Sequence, residues 1–429
     1  MNDAPREDTV YDAVIVGGGP GGAACAMTLA RAGRSVLLLE RTVFPRFHIG
    51  ESLLTYTVDV LARLGVLDRV LASGFVVKRG VELSGPEGNS YRIGFDEIGE
   101  GYRDWTLQVE RAEFDQILLD AAAAEGAKVV EGARVTAPVL SGDRVSGVRY
   151  TLDDGSSSTV RAHYVVDASG RTGVISRALG LRRNDESIRM VAAFKHYAGT
   201  HELHNPGAKG DIQLGNHPDG WVWGIPIRKD VISIGTVVPV DVMRQGRAEE
   251  VFEEHLSRIP RIHARTRGAR VVRELTGETD YSHYSERLAG PGYYIVGDAG
   301  CFTDPIFSAG VFLALVTGME SAACVNASLD GAGPGREREI ATSYEDFCKT
   351  GFDTYHRLIR AFYDNGYSVY RYLTGAIDDP TQLGGILRLL NGDFWNEHDP
   401  VSRKLREVPQ WGMFESFTPD YNCPVHGDR

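Results

Sequence analysis

Apolar positions in this chain fall in short runs closed by glycine-rich turns, the pattern of buried parallel strands alternating with helices. The first run, Tyr11–Val16, is broken only by Asp12 and leads into Gly17-Gly18-Gly19-Pro20-Gly21-Gly22. An Ala-rich stretch from Ala23 to about Ala32 predicts a helix, with Gly33 as its C-cap. A second strand, Ser35–Leu39, ends in Glu40. Two later runs have the same form: one from Tyr164 closes in Asp167-Ala168-Ser169-Gly170, and one from Tyr293 closes in Gly297-Asp298 before a helix from about Ala309. Val191–Tyr197 and Ile232–Val238 read as strands of a further sheet, and Val76–Leu83 as one strand with alternating faces. From about Arg336 the pattern turns helical and aromatic, with Phe352, Tyr355, Phe362, Tyr363, Tyr367, Tyr370 and Tyr372 mostly as core and some available to line a pocket.

The first forty residues carry chemistry as well as structure. Gly17, Gly19 and Gly22 satisfy G-x-G-x-x-G: a tight turn, a close approach of backbone to a pyrophosphate, and close packing of helix on strand. The helix start offers unpaired amides and a positive dipole end to phosphate. Glu40, roughly 20 residues further on, is placed to accept from an adenosine ribose. Strand, glycines, helix, strand and acid in this order point to dinucleotide binding. Asp167 reads as an organiser of its own loop.

Composition narrows the class. A chain of 429 residues is long enough for two lobes around a shared cofactor, and its net charge of -12 excludes general nucleic-acid binding. The five cysteines are odd in number and widely spaced, without a C-x-x-C pair, so neither a disulfide framework nor a metal site is expected. The first ten residues lack the apolar core of a secretion signal, and the apolar runs are too short for a bilayer, so a cytoplasmic protein without a membrane partner is expected.

Three strand-end elements, at Gly17, Asp167 and Asp298, are more than a nicotinamide dehydrogenase needs. The layout resembles the flavoprotein monooxygenase superfamily with the para-hydroxybenzoate hydroxylase-like fold, over roughly residues 10–325. The resemblance implies an α/β FAD-binding Rossmann-like domain (1–74, 109–180, 281–330), an inserted β-sheet substrate lobe (75–108, 181–280) and a C-terminal helical region (331–429). It implies that Gly17, Gly19, Gly22, Glu40 and Arg41 hold the ADP half of FAD, that Arg111 in Gln108-Val109-Glu110-Arg111 lies near the phosphates or ribityl chain, and that Asp298 holds the ribityl chain. For Arg111, a surface helix charge is the competing reading.

Within that superfamily two motifs are similar to those of flavin-dependent halogenases. Trp221-Val222-Trp223-Gly224-Ile225-Pro226 gives W-x-W-x-I-P, whose tryptophans share one strand face; in halogenases Trp221, Trp223 and Pro226 would flank the flavin and keep substrate from it. Phe47-His48-Ile49-Gly50-Glu51-Ser52 resembles the segment ahead of the halogenase lysine, which makes Lys78 the candidate catalytic residue. The competing reading has Lys78 solvated, with Lys78 and Arg79 rival candidates for the outward charge. Asp304–Gly310 resembles the halogenase halide loop, with amides of Ser308, Ala309 and Gly310 as halide donors; a helix cap by Ser308 is equally compatible. Ala309 departs from the small polar residue of many halogenases and leaves side-chain contacts to halide open.

The resemblance implies FAD supplied as FADH2, O2 and halide as co-substrates, and a separate flavin reductase as partner. Flavin hydroperoxide would oxidise halide to hypohalous acid, which Lys78 would capture by hydrogen bond or as a haloamine and direct onto an electron-rich ring, phenolic or pyrrolic and free or tethered to a carrier protein. A single-component NAD(P)H-dependent hydroxylase, a reductase of apolar double bonds and a non-catalytic flavoprotein are the rival functions. Two further readings stay open. Arg258, Arg261, Arg265, Arg267, Arg270 and Arg273 form either a solvated helix and strand edge or a docking patch for an acidic carrier, and Asp280 is a candidate for covalent FAD attachment.

Overall fold

In the computed structural model, residues 9–200, 207–279, 282–365 and 380–425 are described. The first apolar run forms the strand Val10–Val16 at the centre of a parallel sheet. It pairs with Ser157–Asp167 on one side and Val36–Leu39 on the other. Tyr293–Ile295 and Lys128–Val130 extend the two flanks, also in parallel. Ala13, Val14, Ile15, Leu37 and Leu38 are fully buried, as continuous apolar runs require when a sheet is covered on both faces. An antiparallel meander, Ala133–Ser141 and Arg144–Leu152, leads into Ser157–Asp167.

The helix Pro20–Arg31 begins three residues before the Ala-rich stretch, because Pro20 with its fixed φ is well suited to a first turn. It packs against Arg111–Ala124 and Gly310–Leu329. The contact with Gly310–Leu329 is backbone to backbone: a Cβ on Gly318 would lie 2.3 Å from the Gly21 carbonyl oxygen. Gly310–Leu329 is long and apolar enough by composition to cross a membrane. Here it is a core helix, with Phe312, Leu315, Ala322 and Val325 fully buried within the protein.

A second, seven-stranded sheet runs in the order Arg270–Thr279, Met190–Ala198, Val231–Pro239, Gly220–Arg228, Ile212–His217, Gly80–Ser84, Ser90–Gly94. Its neighbours are antiparallel except Ile212–His217 with Gly80–Ser84. Side chains alternate between two cores. Trp221, Trp223 and Ile225 join the main core, whereas Val222 joins a smaller one under the helices Ala248–Ser257 and Pro260–His263. In that second layer His217 and His255 meet ring to ring, with centroids 4.9 Å apart.

The stretch Val76–Leu83 is two strands. Val76–Lys78 pairs with Thr106–Gln108 in a separate ribbon, and Gly80–Ser84 joins the large sheet. The break falls at Arg79, whose amide donates to Asp211 Oδ1 (2.7 Å) rather than to a ladder. The C-terminal region is helical: Pro334–Asp364, Pro380–Leu389 and Pro400–Arg406. Phe352, Tyr355 and Phe362 are buried there, while Tyr367, Tyr370 and Tyr372 lie outside the described residues.

Two predictions follow from this packing. Gly318→Ala forces the crossing helices apart and should lower unfolding stability by about 1–3 kcal/mol, read as a shift of the urea midpoint. Burial, with His255 and Arg258 alongside, lowers the His217 pKa to about 4. The unfolded chain therefore takes up a proton that the folded one refuses as pH falls from about 6.5 toward 4. Stability from this site is full above that window and is lost through it. His217→Gln should flatten the decline of the urea midpoint between pH 6.5 and 4.5; an unchanged slope would refute the assignment.

Candidate active site

The glycine turn has the shape a phosphate needs. Gly17 sits at φ 102°, where a Cβ would also lie 2.4 Å from the Ala168 carbonyl oxygen. A Cβ on Gly22 would lie 1.9 Å from the Gly17 carbonyl oxygen, so helix and strand meet without room for a side chain. At Gly19 the space is open, its nearest neighbour being Arg46 Nη2 at 3.6 Å. Glu40 is buried and accepts from the amides of Gly18 (2.7 Å) and Thr42 (2.9 Å), stitching the turn to the second strand. Arg41 faces solvent and donates to Thr172 Oγ1 (3.0 Å). Asp167 accepts from the amides of Ser169 and Ile175, organising its own loop as expected.

Arg111 is a buried hub, not a surface charge. It forms a two-point pair with Asp115, Nε to Oδ1 at 2.8 Å and Nη2 to Oδ2 at 3.0 Å. Burial alone would raise the Asp115 pKa, but the charges of Arg111 and Arg46 outweigh it and hold the carboxyl below its usual range. The remaining nitrogen of Arg111 donates to the carbonyls of Ile49 (2.7 Å) and Gly50 (3.3 Å). This fixes the segment Gly50-Glu51-Ser52. Glu51, 2% exposed, meets His196 Nε2 at 2.9 Å, and Ser52 Oγ accepts from Lys78 Nζ at 3.0 Å.

Lys78 points inward and is 3% exposed, while Arg79 takes the outward position beside Asp104. Its second bond is to the Leu53 carbonyl at 3.3 Å. Burial lowers its pKa to about 8, against the pull of Asp211. In the ribbon Lys78 pairs with Thr106 and Val76 with Gln108, so all four side chains project from one face. The Gln108 amide nitrogen donates to the Gly210 carbonyl (3.2 Å), and its buried Oε1 has no hydrogen-bond partner among the described residues. Beyond its two bonds the Lys78 ammonium lies 5.3 Å over the Phe95 ring.

Trp221 and Trp223 share a face, their ring centroids 5.6 Å apart. Trp223 lies flat over Gly235 on the adjacent strand, where a Cβ would come within 2.2 Å of its ring. It abuts Phe194, which stacks on Phe47 next to His48 and Ile49. Trp221 Nε1 donates to Tyr363 Oη (3.2 Å), which donates to Asp304 Oδ2 (2.8 Å) at the head of the candidate halide loop. Pro226 is buried further along the strand, paired with Ile232. Ser308 has φ 59°, and its amide donates to the Pro305 carbonyl (3.0 Å), so that N–H is already used. Among the described residues no side chain caps the helix Gly310–Leu329, which sets aside Ser308 as its cap and leaves the first-turn amides from Gly310 onward without intrahelical partners.

The residues present fit FAD. The Gly19 face is open, and the Asp298 carboxyl makes no hydrogen bond among the described residues. Enclosure raises its pKa to about 6 against the pull of Arg111 and Arg171. Gly310 adjoins it, with a Cβ position 3.9 Å from Asp298 Oδ1. Asp280 lies outside the described residues.

Sequence reasoning missed several partners. Asp115 was visible in principle as an i,i+4 partner of Arg111. Gln108, His196 and the Tyr363–Asp304 link carry no local signature. Of the six arginines in the cluster, four are engaged by other parts of the protein. Arg258 pairs with Asp219 and Glu254, Arg261 with Glu82, Arg265 is buried against Gln213, and Arg273 lies 3.5 Å over the Phe47 ring. Only Arg267 and Arg270 of the six are exposed. Asp115→Asn, which leaves Arg111 buried without its counter-charge, should cost about 3–5 kcal/mol of stability. Urea unfolding and the amount of flavin retained through gel filtration should fall together.

Residues 10–344 match the FAD binding domain family. The chain is 35% identical over 359 residues to a tryptophan 2-halogenase of Chondromyces crocatus, covering 82% of this chain and 67% of that protein. It is 32% identical to the 1H-pyrrole-2-carbonyl-[peptidyl-carrier protein] chlorinase of Pseudomonas fluorescens, covering 94% of this chain and 93% of the relative. Among solved structures, a flavin-dependent brominase matches with TM-score 0.84 and 29% identity over 94% of this chain and 98% of that one. The myxobacterial chondrochloren halogenase matches with TM-score 0.77 and 32% identity over 92% of each. By its FAD binding domain and by these relatives, this chain belongs to the flavin-dependent halogenases, FAD enzymes of the oxidoreductase class.

Proposed function

We propose that this enzyme halogenates an electron-rich aromatic ring, phenolic or pyrrolic, presented on a carrier protein. A separate flavin reductase would deliver FADH2. The carrier-tethered substrate is supported by the relative matched over 93% of its length, whose substrate is a carrier-bound pyrrole.

In this reading Gly17, Gly19, Gly22, Glu40 and Arg41 bind the ADP half of FAD. Arg111 acts through the Ile49 and Gly50 carbonyls it holds, and Asp298 receives the ribityl chain. The domain division in this reading takes 1–74, 109–180 and 281–330 as the FAD-binding domain, 75–108 and 181–280 as the substrate lobe, and 331–429 as the C-terminal helical region. Bound FADH2 and O2 supply the oxidant that turns halide into hypohalous acid. Backbone amides at the turn Ser308–Gly310 hold the halide; with the Ser308 N–H committed to Pro305 and the Ala309 N–H facing the Tyr355 phenol, the donors are those from Gly310 onward. Trp221, Trp223 and Pro226 keep the ring away from the flavin, so the small oxidant must travel to a second chamber.

The observation that carries the proposal is the inward, 3% exposed Lys78. Its ammonium spends two N–H groups on Ser52 and Leu53 and keeps the third for hypohalous acid. Hydrogen bonding to the oxygen makes the halogen more electrophilic. The ring carbon takes the halogen, the ring proton leaves, and water carries away the oxygen.

Lys78→Met should abolish halogenated product while leaving FAD content intact and hypohalous acid still trapped by a free diketone. Persisting product would refute Lys78 as the delivering group, and hydroxylated product with no halide dependence would refute the function. Because deprotonation near pH 8 removes the spare donor, product yield per oxidant formed should fall as pH rises through about 8. A yield flat from pH 7 to 9 would exclude the ammonium form.

A further inference from the structure

Asp304 is fully buried, and three bonds brace the loop it heads. Oδ1 accepts from the Ile306 amide (2.9 Å). Its carbonyl accepts from Tyr355 Oη (2.7 Å), and Oδ2 from Tyr363 Oη (2.8 Å). Both phenols come from one helix, Pro334–Asp364, about two turns apart. Tyr363 Oη in turn accepts from Trp221 Nε1 (3.2 Å). The loop needs such bracing. Ser308, at φ 59°, is the one non-glycine residue with positive φ among the described residues, a conformation that persists only when its surroundings impose it.

A buried carboxylate four residues before an anion-holding turn is also an electrostatic hazard, since it repels what the turn must hold. It is harmless there only while its oxygens are turned to fixed donors. Resting on the halogenase reading above, we propose that Tyr363 is a positioning residue for the halide loop. Its hydroxyl holds the Asp304 carboxylate away from the anion and links the loop to Trp221, so the C-terminal helix helps set halide affinity. Without that hydroxyl, Oδ2 loses a donor and its charge is less restrained beside the turn that would bind halide.

The test is bromide binding to the oxidised, FAD-loaded enzyme, followed by the change in flavin absorbance at constant ionic strength, alongside steady-state bromide kinetics. Loss of one hydrogen bond to a charged group predicts that Tyr363→Phe raises both the bromide dissociation constant and KM about tenfold. Rate at saturating bromide and FAD content should stay near wild type. Adding Asp304→Asn removes the charge and should restore part of the affinity, a rescue that simple loss of packing would not show. Unchanged bromide affinity in Tyr363→Phe, or no recovery in the double variant, overturns the inference. Should Tyr363→Phe fail to fold, Asp304→Asn alone, which removes the charge that Tyr363 holds away, should leave bromide affinity at or above wild type, and a loss of affinity would overturn the inference. Wild-type enzyme that neither binds bromide nor yields brominated product would instead bring down the halogenase reading itself.

Discussion

The site depends on a single buried charge pair, Arg111 with Asp115. Burying two ions is costly, and it is sustained only by good geometry and by further bonds to the remaining donors. Here the guanidinium meets both carboxylate oxygens and turns its spare nitrogen to the Ile49 and Gly50 carbonyls. Gly50, at φ 101°, can present its backbone so closely because a Cβ would lie 2.9 Å from that nitrogen. Three consecutive residues are thereby held on a helix of the cofactor-binding sheet. Glu51 then reaches the large second sheet through His196, and Ser52 reaches the ribbon through Lys78. The ion pair beside the first sheet is thus linked to side chains on the second sheet and on the ribbon.

The same economy of contacts separates two chemical environments. The tryptophans stand on the large sheet, Trp223 seated on Gly235 and Trp221 tethered to the C-terminal helix. Lys78 stands on a different, two-stranded ribbon, bonded to the Gly50–Ser52 segment. The break at Arg79 makes this possible. Had Val76–Leu83 run on as one strand, Lys78 would lie in the large sheet alongside Gly80–Ser84. Asp211 enforces the break by taking the Arg79 amide and the Arg92 side chain, and its charge also tempers the fall in the Lys78 pKa.

Some of this was legible before any coordinates. The parallel sheet, the glycine turn and the shared face of Trp221 and Trp223 follow from periods of two residues and from glycines that admit no side chain. Other features gave no sign of their partners. Six arginines in sixteen positions (258–273) look like a surface patch, yet four are consumed by Asp219, Glu254, Glu82, Gln213 and the Phe47 ring. Charge density along a chain does not reveal which charges fold back onto acids brought in from distant strands.

The sequence by itself determined that a dinucleotide-binding sheet would form and that its motifs matched those of a halogenase, because each of those features is a property of one strand or one turn. Only the tertiary structure decided that Lys78 is the inward charge, that Arg111 is a hub, and that Asp304 is braced by the C-terminal helix. Lys78 and Ser52 are 26 residues apart, Tyr363 and Asp304 59, and Tyr363 and Trp221 142. Partners at such separations are chosen by how the lobes pack, and no local period records that choice.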